Sequence, residues 1–198
     1  LQKLARRYGT NNVDNCTRMC HASTMWALRR SLGAGAMTNS MEDLGAKADV
    51  FWIQGANPAE QHPIANSQYF RQAVIDGATV IQVDPHANKT TKSFDIEGTD
   101  RHMHLQLEPG TDIPLLNVVL KTILENDWVD EEFIQQRTKG FEDLEETLED
   151  FDKEAAAETC RVPLEDLEEA AEKYATAENA AIFTGMGMSQ HSCGVDNV

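Results

Sequence analysis

A chain of 198 residues with 41% apolar content is long enough for one domain that buries roughly 70% of its unfolded surface. Its 17 Lys and Arg against 33 Asp and Glu give a net charge of −16, which repels nucleic acid, and no run of about 18 apolar residues is present to span a membrane. The start, Leu1-Gln2-Lys3-Leu4-Ala5-Arg6-Arg7, has neither an initiator Met nor an apolar stretch suited to a secretory signal, and Cys193 to Val198 carries no closing element, so the sequence reads as an internal piece of a longer polypeptide.

In chain order, residues 1–30 hold six Lys or Arg and one Asp, a basic opening that suits either an anionic ligand or scattered surface charge. The run 48–55 is short and apolar and ends in Gly55, the pattern of a buried parallel strand. Helical spacing over 67–76, stopped by Gly77, is followed by a second apolar strand over 78–84 that Pro85 ends. Alternation over 100–107 predicts a third strand with His102 and His104 on one face, read as exposed strand residues rather than ligands. Thr111 or Asp112 is placed to cap an apolar helix over 113–125. Segments 130–137 and 141–151 predict short amphipathic helices, and Pro163 opens a helix with Leu164, Leu167, Ala170, Ala171 and Tyr174 at core spacing. Residues 130–178 carry 18 acidic and five basic residues; this reads as solvated helix faces and also suits a protein working in high salt, where self-repulsion is screened. Ala180 to Gly185 forms the last predicted strand. Strands interleaved with helices predict an α/β fold with a mainly parallel sheet and helices on both faces.

Such sheets bind ligands beyond the carboxyl ends of their strands. Three predicted strand ends carry Gly or polar signatures: Gly55 to Glu60, Asp84-Pro85-His86, and Gly185 to Gln190. Glycine admits close backbone approach, and Asn, Asp and Gln offer hydrogen bonds to a base or ribose; structural turns use the same residues. None matches the GxGxxG fingerprint of nicotinamide cofactors. The four cysteines, Cys16, Cys20, Cys160 and Cys193, include no CxxC pair and read as reduced thiols of a cytoplasmic protein. Cys160 reads as a small packing residue. In Asn15-Cys16-Thr17-Arg18-Met19-Cys20-His21, a soft thiolate and an adjacent imidazole stand as either a metal and proton-transfer site or a buried thiol beside an unrelated His; a closed zinc site would need a second half, and none is evident.

The run Gly9-Thr10-Asn11-Asn12-Val13-Asp14-Asn15-Cys16-Thr17-Arg18-Met19-Cys20-His21 resembles the active-site segment of formate dehydrogenase catalytic subunits. The likeness continues through Gly33 to Asn39, Gly55 to Pro63, Asp84-Pro85, Pro109 to Asp112 and Gly185 to Gln190, across essentially the whole chain. The resemblance implies a Rossmann-like dinucleotide-binding domain of a molybdopterin oxidoreductase, one α/β domain over 1–198 that is incomplete at both ends. Residues 1–47 would be the active-site segment and 48–198 the guanine-dinucleotide-binding region. It implies a bis-molybdopterin guanine dinucleotide with Mo or W, Cys20 as its metal ligand, and His21 in proton transfer. Gly55, Asn57, Glu60, His62, Asp84, His86, Gly110, Asp112, Gly185, Met186, Gly187 and Gln190 fall on the cofactor-binding parts. Formate would be the substrate. Electrons would pass to a 4Fe-4S cluster held by a segment before Leu1, and on to a partner subunit or acceptor. The family usually reads Asp-Pro-Arg where this chain has Asp84-Pro85-His86, and His lacks the permanent charge and fork of Arg. Two alternatives stand beside it: another molybdopterin oxidoreductase such as an assimilatory nitrate reductase, which generally lacks His after the Cys, and a catalytically silent domain of the kind found in respiratory complex I, against which the retained Cys20-His21 pair speaks.

Overall fold

The computed structural model describes residues 2–198. Four strands form one parallel sheet: β1 (Val50–Gln54), β2 (Thr79–Val83), β3 (His102–Leu105) and β4 (Ala180–Thr184), in the order β3-β2-β1-β4. Each falls inside its predicted run. The order grows outward from β1 through β2 to β3, then returns to the other side of β1 with β4. The crevice between β1 and β4 is therefore the topological switch point, and all four carboxyl ends share one edge of the sheet.

Strand alternation sorts the apolar residues into two cores, one per face. Val50 and Trp52 of β1, Ile81 and Val83 of β2, and Leu105 of β3 meet the helices Asp112–Glu125, Lys153–Cys160 and Leu164–Ala175. Phe51, Ile53 and Val80 point the other way and meet Phe70, Val74 and Phe94 from the helical segments that follow β1 and β2. Edge-to-face packing ties the sheet to both layers: Trp52 against Tyr174 at 6.1 Å, and Phe70 against Phe51 at 5.3 Å and Phe183 at 4.7 Å. Helices thus cover both faces, as a sheet buried on two sides requires. The core spacing read in 163–175 is realised, since Leu167, Ala170 and Ala171 are buried and Leu164 and Tyr174 pack beside them. Cys160 is buried as well, which pushes its thiol pKa up.

Several local expectations need correction. The helix over 67–76 begins as a π turn at Asn66–Phe70 and becomes α-helical only at Arg71–Asp76; Gly77 ends it at φ 125°. Neither Thr111 nor Asp112 caps the Asp112–Glu125 helix by its side chain. The Thr111 hydroxyl donates to the Glu108 carbonyl instead, and the Asp112 carboxylate is turned to Gln54. His102 and His104 are half-buried rather than exposed: His102 packs on Phe94, and His104 stacks beside His102 and lies 2.9 Å from the Asp84 carbonyl. Burial, then the neighbouring His104, push the His102 pKa down to about 4 against the opposing pull of Asp95.

Candidate functional site

The segment before Cys20 is organised locally. The Asp14 carboxylate accepts from the Asn15 backbone at 2.9 Å and pairs with Arg18. The backbone contact first, and Arg18 second, hold the Asp14 pKa below the ordinary carboxylate range. The Asn15 side chain accepts from the Thr17 N–H at 2.9 Å, starting the single helical turn Thr17–Cys20, whose last N–H donates to the Cys16 carbonyl at 2.8 Å. His21 leaves helical geometry at φ −138°, ψ 33°, and the helix Ala22–Ser31 starts after it. Thiol and imidazole therefore stand consecutively at a joint between two helices, with Cys20 partly open and His21 exposed. Cys16 is exposed too.

Tertiary contacts bring this joint to the carboxyl edge of the sheet. The Cys20 sulfur lies 3.9 Å from the Met186 sulfur, the Gln190 side-chain amide donates to the Cys20 carbonyl at 3.1 Å, and the Ser23 hydroxyl donates to the Ser189 carbonyl. All three partners sit just after β4. That turn is pinned in its own right: Gly185 N–H donates to the Gln54 carbonyl at 3.0 Å and Gly187 N–H to the Gly55 carbonyl at 2.8 Å. A Cβ on Gly187 would come within 2.6 Å of the Gly55 Cα, and Gly55 itself sits at φ +60°. Only glycine fits at either place, because both backbones meet at the switch point.

Beside the pinch lies a cleft of about 200 Å³ bordered by Gly55, Asp84, Gly110, Asp112, Gly187 and His191, together with Val83, Pro85, Leu107 and Pro109. Five of the predicted binding residues thus share one wall. Asp112 is buried and held by Gln54, whose amide donates to it at 2.8 Å while accepting from the Trp52 indole at 2.9 Å. Asp84 braces the turn after β2 by accepting from His86 N–H at 2.9 Å and from the Asn88 amide at 3.2 Å. The β1 and β2 exits are joined through buried Thr90, which donates to Asn57 at 2.7 Å. Asn57 in turn donates to Glu60 at 2.6 Å, and Lys89 pairs with Glu60 at 2.6 Å; Lys89 and then Asn57 hold the Glu60 pKa low. Asn57 and Glu60 stand next to the cleft without lining it, and His62 and His86 are exposed outside it. Gly185 packs on Gly55 and Ala56.

Sequence reasoning missed His191, Gln54, Thr90 and Ser23. His191 directly follows the Gly185–Gln190 signature, so extending that stretch by one residue finds it. Gln54 and Thr90 are polar residues that only tertiary packing shows to be buried. A larger hollow of about 520 Å³ borders Asp127, Glu131, Glu142 and Glu145 on the acidic helices; its carboxylates repel anions, and it shares no lining residue with the Cys20 side.

The family model of the molybdopterin oxidoreductases matches residues 1–198. The chain is 41% identical over its full length to the alpha subunit of F420-dependent formate dehydrogenase 2 of Methanococcus maripaludis, of which it covers 28%. It is 36% identical to formate dehydrogenase H of Escherichia coli, covering 27% of that protein. Among solved structures, acetylene hydratase from Pelobacter acetylenicus shares the fold at a TM-score of 0.76 over 94% of this chain and 24% of its own, at 24% identity. The chain therefore spans somewhat more than a quarter of these formate dehydrogenases. With the parallel sheet, the pinned switch point and the thiol beside it in place, the match along the whole sequence shows that this chain belongs to the molybdopterin oxidoreductase family.

Proposed function

We propose that this chain is the cofactor-binding heart of a formate dehydrogenase catalytic subunit, with Cys20 ligating molybdenum or tungsten in a bis-molybdopterin guanine dinucleotide. The observation that carries the reading is the position of Cys20, tethered beside Met186 and Gln190 at the exit of β4. The residues present fit such a group. Cys20 is partly open where Cys160 is sealed in the core, and a thiolate is a soft donor that hard-metal sites do not use. The adjoining cleft offers the Asp84 and Asp112 carboxylates, which accept from N–H edges such as guanine presents. When bound, the metal and its dithiolenes supply the two-electron redox chemistry.

This chain's residues position and protonate. Cys20 gives up its proton to ligate. Oxidation of formate to carbon dioxide releases two electrons and one proton, and His21, exposed next to the ligand, takes that proton. Gly55, Gly110, Gly185 and Gly187 let backbone approach the dinucleotides, while Asn57, Glu60, His62, Asp84, His86 and Asp112 supply polar contacts. Met186 and Gln190 stand between that cradle and the thiol. Residues 1–47 serve as the active-site segment and 48–198 as the guanine-dinucleotide-binding region of one domain. A 4Fe-4S cluster held elsewhere in the full-length protein would carry the electrons on to a partner subunit or acceptor. Among the described residues no helix is long and apolar enough to cross a membrane, and four free cysteines suit a reducing cytoplasm.

The test is made on the full-length protein. Metal analysis should find molybdenum or tungsten, and formate should reduce a viologen dye while nitrate fails to reoxidise it. Metal-free protein, or nitrate turnover without formate turnover, would reject the proposal.

A further inference from the structure

We infer that Met186 and Gln190 are positioning residues that hold the Cys20 thiol in place. The inference rests on the reading of Cys20 as metal ligand. Side-chain hydrogen bonds from residues 10–18 reach no further than four positions along the chain, so they shape the Cys20 loop without locating it on the sheet. Location comes from the turn after β4. Gln190 N–H donates to the Met186 carbonyl at 2.9 Å, which puts the two side chains four positions apart on one face of a single turn. One reaches the Cys20 sulfur at 3.9 Å and the other the Cys20 carbonyl at 3.1 Å. The turn cannot drift, because Gly185 and Gly187 are bonded to the β1 exit, Met188 is 2% exposed, and Asn197 donates to the Met188 carbonyl at 2.9 Å.

The choice of a thioether at 186 has a chemical reason. Methionine sulfur accepts weakly and carries no proton to donate. Beside a ligating thiolate it shields one flank from water without competing for the sulfur lone pairs, and such outer partners are worth about 10–100-fold in metal affinity or activity. Methionine also fills irregular gaps without demanding one rotamer, which suits a residue that is itself 51% exposed.

The experiment compares Met186→Ala, Met186→Leu and Gln190→Ala in the full-length protein. Iodoacetamide alkylation of each cysteine is followed by peptide mass spectrometry on metal-free protein, and metal content with kcat and KM for formate on loaded protein. Cys20 should alkylate several-fold faster in the two Ala variants while buried Cys160 stays unreactive, and Met186→Leu should restore the slow rate. In loaded enzyme the Ala variants should lose about 10-fold or more in kcat with KM for formate held within about twofold. Unchanged Cys20 alkylation in both Ala variants, or Cys20 and Cys160 accelerating together, would overturn the inference. If the unsubstituted protein holds no metal and ignores formate, the proposed function fails, and the alkylation rates still decide the positioning role.

Discussion

The amide of Gln54 donates to the carboxylate of Asp112 at 2.8 Å, joining the end of β1 to the first residue of the helix that starts 58 positions later. The same Gln54 accepts from the Trp52 indole at 2.9 Å, and all three side chains are buried. Buried polar groups are stable when paired and costly when stranded, at about 1–3 kcal/mol for each orphan. Gln54→Leu strands the Trp52 donor and one Asp112 acceptor by putting an apolar side chain in place of the amide. Thermal unfolding should fall by several degrees, since about 1 kcal/mol is worth 2–4 °C at this size. An unchanged midpoint would show that water replaces Gln54 at no cost.

Gly187→Ala is expected to be more damaging than its size suggests. Its new methyl would sit 2.6 Å from the Gly55 Cα and 2.8 Å from the Gly55 carbonyl oxygen, and neither backbone atom can step aside as a flexible side chain would. Overpacking of this kind costs about 1–3 kcal/mol, and the displaced turn carries the Cys20 contacts with it. Lower thermal stability and lost metal retention should appear together; Gly98→Ala, strained by its φ of +83° but with no heavy atom within 4 Å of the new Cβ, should lower stability while metal retention stays unchanged.

Cys20→Ala and His21→Ala separate ligation from proton transfer in the full-length protein. Without the thiolate, formate-dependent dye reduction should vanish, because no methyl reproduces a soft anionic ligand. His21→Ala should keep the metal and slow turnover by about 10²–10⁴-fold, the usual worth of a positioned acid–base group. Cys16→Ala should be mild, since Cys16 is exposed. Activity surviving in Cys20→Ala, or lost in Cys16→Ala, would assign the ligand elsewhere.

His102 sets a pH dependence of stability whose sign follows from its depressed pKa of about 4. An unfolded His takes a proton below about 6.5, whereas folded His102 stays neutral until about pH 4. Between those values the unfolded state binds more protons, so stability falls as pH is lowered through that window and is fully present above it. Unfolding midpoints measured from pH 7 to 4 should decline less steeply in His102→Gln than in the unsubstituted protein. Parallel profiles would mean the His102 ring is solvated in the folded state.

Salt should stabilise the acidic helices. The 18 acidic residues within 130–178 face five basic ones, and the screening length shrinks to about 3 Å at molar ionic strength. A midpoint that rises from low to molar KCl by more than that of a near-neutral control protein is the expected result. A flat response would leave an ordinary acidic surface.

The fold was legible because the two central strands, β1 and β2, bury both of their faces. A run such as Val50 to Ile53 is then apolar throughout, and the punctuation of Gly77, Pro85 and Gly185 marks where chain direction changes. The Cys20-His21 pair and the three strand-end signatures were visible for the same local reason, as residue types with distinctive chemistry at turns. What only the tertiary structure decided is which of them meet. Local spacing carries no information on strand order, so nothing in the sequence states that β4 returns beside β1 and presses Gly185 and Gly187 onto Gly55. That return also brings Met186 and Gln190 to Cys20 across more than 160 positions. Tertiary packing also decides that His62 and His86 stay in solvent and that Asp112, read as a helix cap, becomes the partner of Gln54. Contacts at such separation arise from packing two faces of one sheet, where a one-residue change of register would exchange every buried side chain for an exposed one.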